Sequence, residues 1–238
     1  MANSWFQFKQ FKVNQDKTAM KVGTDGVLLG SWVQVADAAD VLDVGTGTGL
    51  IALMLAQRSS NTRITAIDIE EDAVLQAQQN ALESPWSSRI AIEQADYCRF
   101  RSAEVALFDL IVSNPPYFRQ SLKPQAHQRA VARHSHQLPY DSLIENTNRL
   151  LKDDGAFAVI LPYVEGSVFI ALAAAQGLYC RRKTSVYSTP KSEVRRLLLQ
   201  FTKEAGSILE DELVIEASGR HGYSAEYLAL TKDFYLFG

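Results

Sequence analysis

Cysteine is scarce in this chain. Only Cys98 and Cys180 occur in 238 residues. That excludes a disulfide framework and a cysteine-based zinc set, and it suits a cytoplasmic protein with free thiols and no metal. Long apolar runs are missing too. No uninterrupted stretch approaches the roughly 18–20 residues of a membrane-spanning helix. The opening residues, Met1 to Lys9, lack the charged-then-apolar order of a signal segment. Seven Pro and 13 Gly are too few for a collagen-like or linker composition. Net charge is nearly absent, at −3 with a pI near 5.8, so the chain carries no wholesale basic coat.

What is present is an ordinary globular composition, 47% hydrophobic and 21% charged, enough to bury a sizeable core. The small net charge hides local clustering. Residues 119–136 hold four Arg or Lys and no acid; residues 181–203 hold seven against one; residues 1–24 hold four against one. Such runs mark either solvated faces or a partner of opposite charge.

The hydrophobic pattern alternates strand and helix. Residues 40–44 read as a short buried strand, and 50–58 as a helix behind Gly45-Thr-Gly-Thr-Gly49. Residues 63–67 read as a strand ending at Asp68, and 70–83 as a helix with acids in its first turn. Residues 89–95 and 108–113 read as strands, 140–151 as a helix, Asp153-Asp-Gly155 as a turn and 156–161 as a strand. Residues 164–177 follow as a helix, then 179–188 and 194–202 as two antiparallel strands. The expectation is an α/β three-layer sandwich in one domain over 1–238. Its sheet is seven-stranded and mostly parallel, closed by an antiparallel edge hairpin. Residues 1–39 read as an N-terminal preamble, 40–203 as the core and 204–238 as a C-terminal extension.

Four constellations carry chemistry. The loop Gly45-x-Gly47-x-Gly49 lies between strand and helix, where glycine lets a ligand approach the backbone and free N–H groups point outward. It is one residue short of a dinucleotide fingerprint. Asp43 just before it would repel a pyrophosphate yet accept hydrogen bonds from an ammonium group. That favours a ligand with an amino-acid end, such as S-adenosylmethionine, over a ligand-free turn. Asp68 ends the next strand, where a carboxylate can take both hydroxyls of a ribose or cap the following helix. Asp96, after the third strand, can accept from an exocyclic amine or form a turn. Asn114-Pro115-Pro116-Tyr117 ends the fourth strand. Its prolines remove two N–H donors and fix the backbone. An Asn oxygen and a rigid carbonyl can then accept both hydrogens of a planar NH₂, and Tyr117 offers a stacking face.

Taken together, Val41 to Gly49, Asp68, Asp96 and Asn114 to Tyr117 resemble the motif series of Rossmann-like class I S-adenosylmethionine methyltransferases that act on amino groups. Residues 8–12, Met20 to Trp32 and the tail from Tyr227 onward are similar to the bacterial tRNA(Val) adenine-N6 methyltransferase family, which modifies adenine 37. The resemblance runs nearly end to end. It implies that the N-terminal segment covers the cofactor and that Thr24 and Asp25 lie near its methionine end. Asp43, Gly45, Gly47 and Gly49 would line that end, Asp68 with Ile69 the ribose, and Asp96 the adenine. Asn114, Pro115, Pro116 and Tyr117 would grip the target base. DNA and ribosomal-RNA amino methyltransferases would share these residues. Protein-glutamine methyltransferases share the core but carry a helical domain ahead of it, and a non-catalytic RNA-binding protein need not keep the acids.

A tRNA partner requires cations around the crevice. Lys123, Arg129 and Arg133 follow the Asn-Pro-Pro-Tyr motif, and Arg181, Arg182, Lys183, Arg195 and Arg196 flank the hairpin. Replacing Arg129 and Arg133 with Ala is expected to raise the tRNA Kd and to flatten its salt slope by about 0.7–0.9 per lost phosphate contact. S-adenosylmethionine affinity should not change. An unaltered slope with lost stability would instead show these arginines holding a loop.

Overall fold

The computed structural model describes residues 3–18, 20–101, 107–115 and 139–236. In chain order its elements are β1 (Trp5–Gln7), β2 (Lys12–Asn14), α1 (Thr24–Trp32), β3 (Asp40–Val44), α2 (Leu50–Arg58), β4 (Arg63–Asp68), α3 (Glu71–Leu82), β5 (Ile90–Gln94) and β6 (Phe108–Ser113). They continue with α4 (Tyr140–Leu150), β7 (Leu151–Pro162), α5 (Tyr163–Ala175), β8 (Tyr179–Tyr187), β9 (Val194–Thr202), β10 (Leu209–Val214) and α6 (Ala225–Thr231).

The main sheet has eight strands in the order β10-β8-β9-β7-β6-β3-β4-β5. The expectation of seven strands is therefore corrected. β10 adds in parallel outside β8, so the β8–β9 hairpin is not the edge. β9 alone runs antiparallel to its neighbours. β10 escapes a hydrophobicity reading because Glu210, Asp211 and Glu212 fill its middle. Each is answered across the ladder or beside it. Lys183 meets Glu210 at 2.9 Å, Arg182 meets Asp211 at 3.5 Å, and the Tyr187 hydroxyl donates to Glu212 at 3.1 Å.

Asp153-Asp-Gly155 is also not a free turn. It lies within the twelve-residue strand β7, where the register against β6 jumps between Phe108 and Leu110. The extra residues form a bulge. There the backbone of Gly155 comes so close that a Cβ would meet Leu151 Cδ1 at 2.8 Å.

The preamble contains a hairpin and a helix. α1 has two glycines in nine residues and no one-sided apolar stripe, so neither propensity nor periodicity announces it. Tertiary packing makes it. A Cβ on Gly30 would stand 2.7 Å from Met54 Sδ, so glycine lets α1 lie directly on α2. Arg58 of α2 donates to the Gly30 and Val33 carbonyls at 2.8 and 2.6 Å and closes the end of α1.

Alternation along the strands feeds two cores. Val41, Ile64, Leu110 and Ile160 join α1, α2 and the hairpin rings Phe8 and Phe11 on one face. Leu42, Ile67, Ile111 and Val159 join α4 and α5 on the other, around the packed rings of Phe157, Phe169 and Phe201. Lys9 and residues 232–234 meet on the first face. Lys9 N–H donates to the Phe234 carbonyl at 2.8 Å, and its ammonium to the Lys232 carbonyl at 2.6 Å.

One fully buried amide joins three of these parts. Asn80 of α3 accepts from Asn14 N–H and donates to the Asn14 carbonyl, both at 2.8 Å. Its second N–H reaches the Thr48 carbonyl at 2.8 Å. Asn80→Ala leaves these groups without partners and is expected to lower the unfolding free energy by roughly 2–4 kcal/mol. Urea unfolding checks this. A loss below about 1 kcal/mol would show that the aromatic contacts hold the hairpin without the amide.

Candidate active site

The sheet order reverses beside β3, because its successor β4 lies on one side and β6 on the other. Loops after β3 and β6 therefore part and leave a crevice at the carboxyl ends of the strands. Val44 and Ser113 are paired there, and the Ser113 hydroxyl donates to the Val44 carbonyl at 2.9 Å.

The glycine loop begins at Val44. Gly45, Gly47 and Gly49 take φ of +71°, +57° and +80°, a region costly for other residues. An added Cβ on Gly45 or Gly47 would meet nothing within 4 Å, so both present bare backbone to open space. The N–H groups of Gly45 and Thr46 both donate to the Ile67 carbonyl at 2.9 Å. The Gly47 N–H donates to Asp68 Oδ2 at 2.9 Å, while Asp68 Oδ1 accepts from Glu70 N–H at 3.0 Å. Asp68 thus bridges the loop and the entry to α3.

Asp43 lies wholly buried beneath the loop. Burial raises its carboxyl to about 7, tempered by the Thr46 hydroxyl, which donates to Oδ2 at 2.6 Å. Oδ1 is buried without a hydrogen-bond partner; the Ala52 N–H at the start of α2 lowers the carboxyl further but does not reach bonding geometry. A buried acceptor of this kind, under an open backbone cradle, suits a cationic amine. Asp96 follows β5 and accepts from Cys98 N–H at 2.9 Å. Ile69, beside Asp68, is 39% exposed. The acids at the carboxyl ends of β3, β4 and β5 therefore stand in the order of three neighbouring strands.

Asn114 is half-buried and Pro115 buried. Across the crevice, α1 points its first turn at them. A Cβ on Gly26 would lie 3.9 Å from Asn114 Nδ2 and 3.1 Å from Leu50 Cδ2. Thr24 and Asp25 begin that turn, so the structure brings them, the glycine loop and Asn114 to one place. Pro116, Tyr117, Lys123, Arg129 and Arg133 lie outside the described residues.

The basic hairpin divides. Arg196 pairs with Pro162 in the ladder at the crevice end, and its Nε donates to Asp25 Oδ2 at 2.8 Å. Arg195 beside it is exposed. Arg181, Arg182 and Lys183 lie toward the other end of β8. Arg182 stacks on Trp32 at 4.3 Å and meets Asp211, Lys183 meets Glu210, and Arg181 donates to the Glu204 carbonyl at 3.1 Å. Sequence reasoning missed two supporting hydroxyls, Thr46 and Ser113. Their signal was present: polar side chains set among apolar strand ends.

Among the described residues, no His, Cys, Asp or Glu cluster could hold a metal, and no helix is long and apolar enough to cross a membrane.

The methyltransferase small domain family model matches residues 18–164. The chain is 51% identical over 236 residues to a tRNA1(Val) (adenine(37)-N6)-methyltransferase of Phocaeicola vulgatus, covering 99% of each. It is 49% identical over 233 residues to the protein of that description in Flavobacterium johnsoniae, covering 97% of this chain and 99% of that one. Among solved structures, a predicted O-methyltransferase from Agrobacterium tumefaciens superposes with a TM-score of 0.70 at 20% identity, over 88% of this chain and 96% of that one. This likeness shows the fold, a Rossmann-like class I methyltransferase sheet.

The burial of Asp43 has a pH signature. Its carboxyl titrates near 7 when folded and near 4 when unfolded, so folding takes up a proton between those values. Stability is therefore lost as pH rises from about 4 to 7, by up to roughly 4 kcal/mol. Asp43→Asn removes this dependence. Its melting-temperature gain over the parent should be larger at pH 8 than at pH 5; equal gains would refute the raised carboxyl.

Proposed function

The chain belongs to the tRNA1(Val) (adenine(37)-N6)-methyltransferase family, and on that premise we propose that it methylates N6 of adenine 37 in tRNA(Val). S-adenosyl-L-methionine is its cofactor, and when bound it supplies a methyl group on a positively charged sulfonium. One observation carries this reading. The glycine loop and Asn114 leave adjacent strands at paired residues, Val44 and Ser113, so a donor held by one lies beside an amine held by the other. Neighbouring strands stand only ~4.8 Å apart.

Each residue then has a task. Gly45 and Gly47 admit the methionine end to the backbone, and Asp43 accepts from its ammonium group. Asp68 turns its carboxylate toward the ribose hydroxyls, with Ile69 beside it. Asp96 accepts from the cofactor adenine. Thr24 and Asp25 close the methionine end from α1, and Arg196 holds Asp25 in place. Asn114 and the Pro115 carbonyl accept the two hydrogens of the target N6 amine. That draws the nitrogen lone pair out of the ring and aims it along the strand ends. Acceleration then comes mainly from orientation. The adenine must leave its stack to enter the crevice, which costs least in a loop that is already single-stranded. Phosphate contacts from the basic stretches, those outside the described residues included, would hold the tRNA there.

The test is incorporation of labelled methyl into fractionated tRNA, followed by nucleoside analysis. N6-methyladenosine in tRNA(Val) is expected; label in another nucleoside, or in protein, would overturn the reading. Asn114→Ala should lower the single-turnover rate by about 10²-fold or more, with S-adenosylmethionine affinity unchanged, because its contact forms with the target amine.

A further inference from the structure

Tyr163 opens α5 directly after β7, yet the residue is 48% exposed, and Val164 next to it is 68% exposed. The rest of that turn is firmly seated. A Cβ on Gly166 would meet Leu197 Cδ1 at 3.0 Å, and Phe169 is fully buried. The helix start is thus pressed against β9, two residues from Arg195. The register between β8 and β9 shifts there: Val186 faces Arg196 and Tyr187 faces Val194, which leaves Arg195 without a ladder partner. A bulge of this kind re-aims a side chain. Arg196, Arg182 and Lys183 are engaged by acids of the protein. Among the described residues the Arg195 guanidinium has no hydrogen-bond or ion-pair partner, and it is exposed.

The position of this pair relative to Asn114 follows from the ladder. Ser113 faces Val159, so Asn114 lies level with Ile160, three residues short of Tyr163 on the adjacent strand. With about 3.3 Å per residue along the strand and about 4.8 Å between strands, the separation is roughly 11 Å. A nucleotide joined to a base gripped at Asn114 reaches that far.

We propose that Tyr163 and Arg195 form a platform for the nucleotide flanking the methylated adenine. The ring stacks on its base, and the guanidinium meets its phosphate. The proposal rests on the reading of the protein as a tRNA methyltransferase. Glu165 stands on the helix of Tyr163 and Glu193 two residues before Arg195, so stacking rather than net charge dominates the contact. Stacking on an aromatic ring tolerates any base, which suits a contact beside the target and not on it.

The full-length protein can be tested with an anticodon stem–loop RNA carrying 2-aminopurine next to the target adenine. Quenching on binding is expected for the parent and is restored in Tyr163→Phe. Tyr163→Ala and Tyr163→Leu should lose it and raise the RNA Kd about tenfold. Melting temperature and S-adenosylmethionine affinity should stay unchanged. The loss should appear in KM for RNA rather than in the rate at saturating RNA. Arg195→Ala should reduce the salt slope by about 0.7. If the parent methylates tRNA while Tyr163→Ala binds and quenches as it does, the platform is overturned and the methyltransferase reading stands. If the parent neither binds nor methylates tRNA, both fall.

Discussion

The Ser113 hydroxyl, donating to the Val44 carbonyl, fastens together the ends of β3 and β6, the two strands between which the sheet changes direction. Every other part of the crevice is placed relative to that junction. On one side the chain turns through three left-handed glycines into α2; on the other it leaves through Asn114 and Pro115. α1 lies across both, close enough that a methyl on Gly26 would reach Leu50 and approach Asn114. A shift of either strand by one residue would move these groups by about 3.3 Å and turn their side chains to the opposite face.

The electrostatics divide between the ends of the sheet. At the crevice end, acids stand at the ends of three neighbouring strands, and one of them is buried deeply enough to resist ionisation. A cation held against that carboxylate would relieve the cost of ionising it, so stability given up by burial would return as affinity. Away from the crevice, the bases of β8 are neutralised by the acids of β10. The eighth strand therefore engages within the fold a set of charges that the sequence displays together.

Much of this was legible beforehand, for local reasons. β3, α2, β4, α3, β5 and β6 lie within a residue or so of their sequence-based bounds, because the strands are short apolar runs ending near glycine, acid or Asn-Pro, α2 is a solid apolar run behind the glycines, and α3 opens on acids. The acids at strand ends were legible for the same reason. What stayed hidden depends on distant partners. α1 is buried nearly all round and has no periodicity to read. β10 carries three acids that only β8 explains. The contact between Asp25 and Arg196 spans 171 residues, and no spacing rule reaches that far.

The contact of Lys9 with residues 232–234 has a consequence for synthesis. The N-terminal hairpin is held to the glycine loop by Asn80, but its other anchor is the backbone of residues 232–234. Residues 232–234 follow β6 by more than a hundred residues, so on the ribosome this anchor emerges well after the strands of the crevice. The hairpin therefore gains its second anchor only once β7 to β10 have been made, and until then Asn80 alone ties it to the glycine loop.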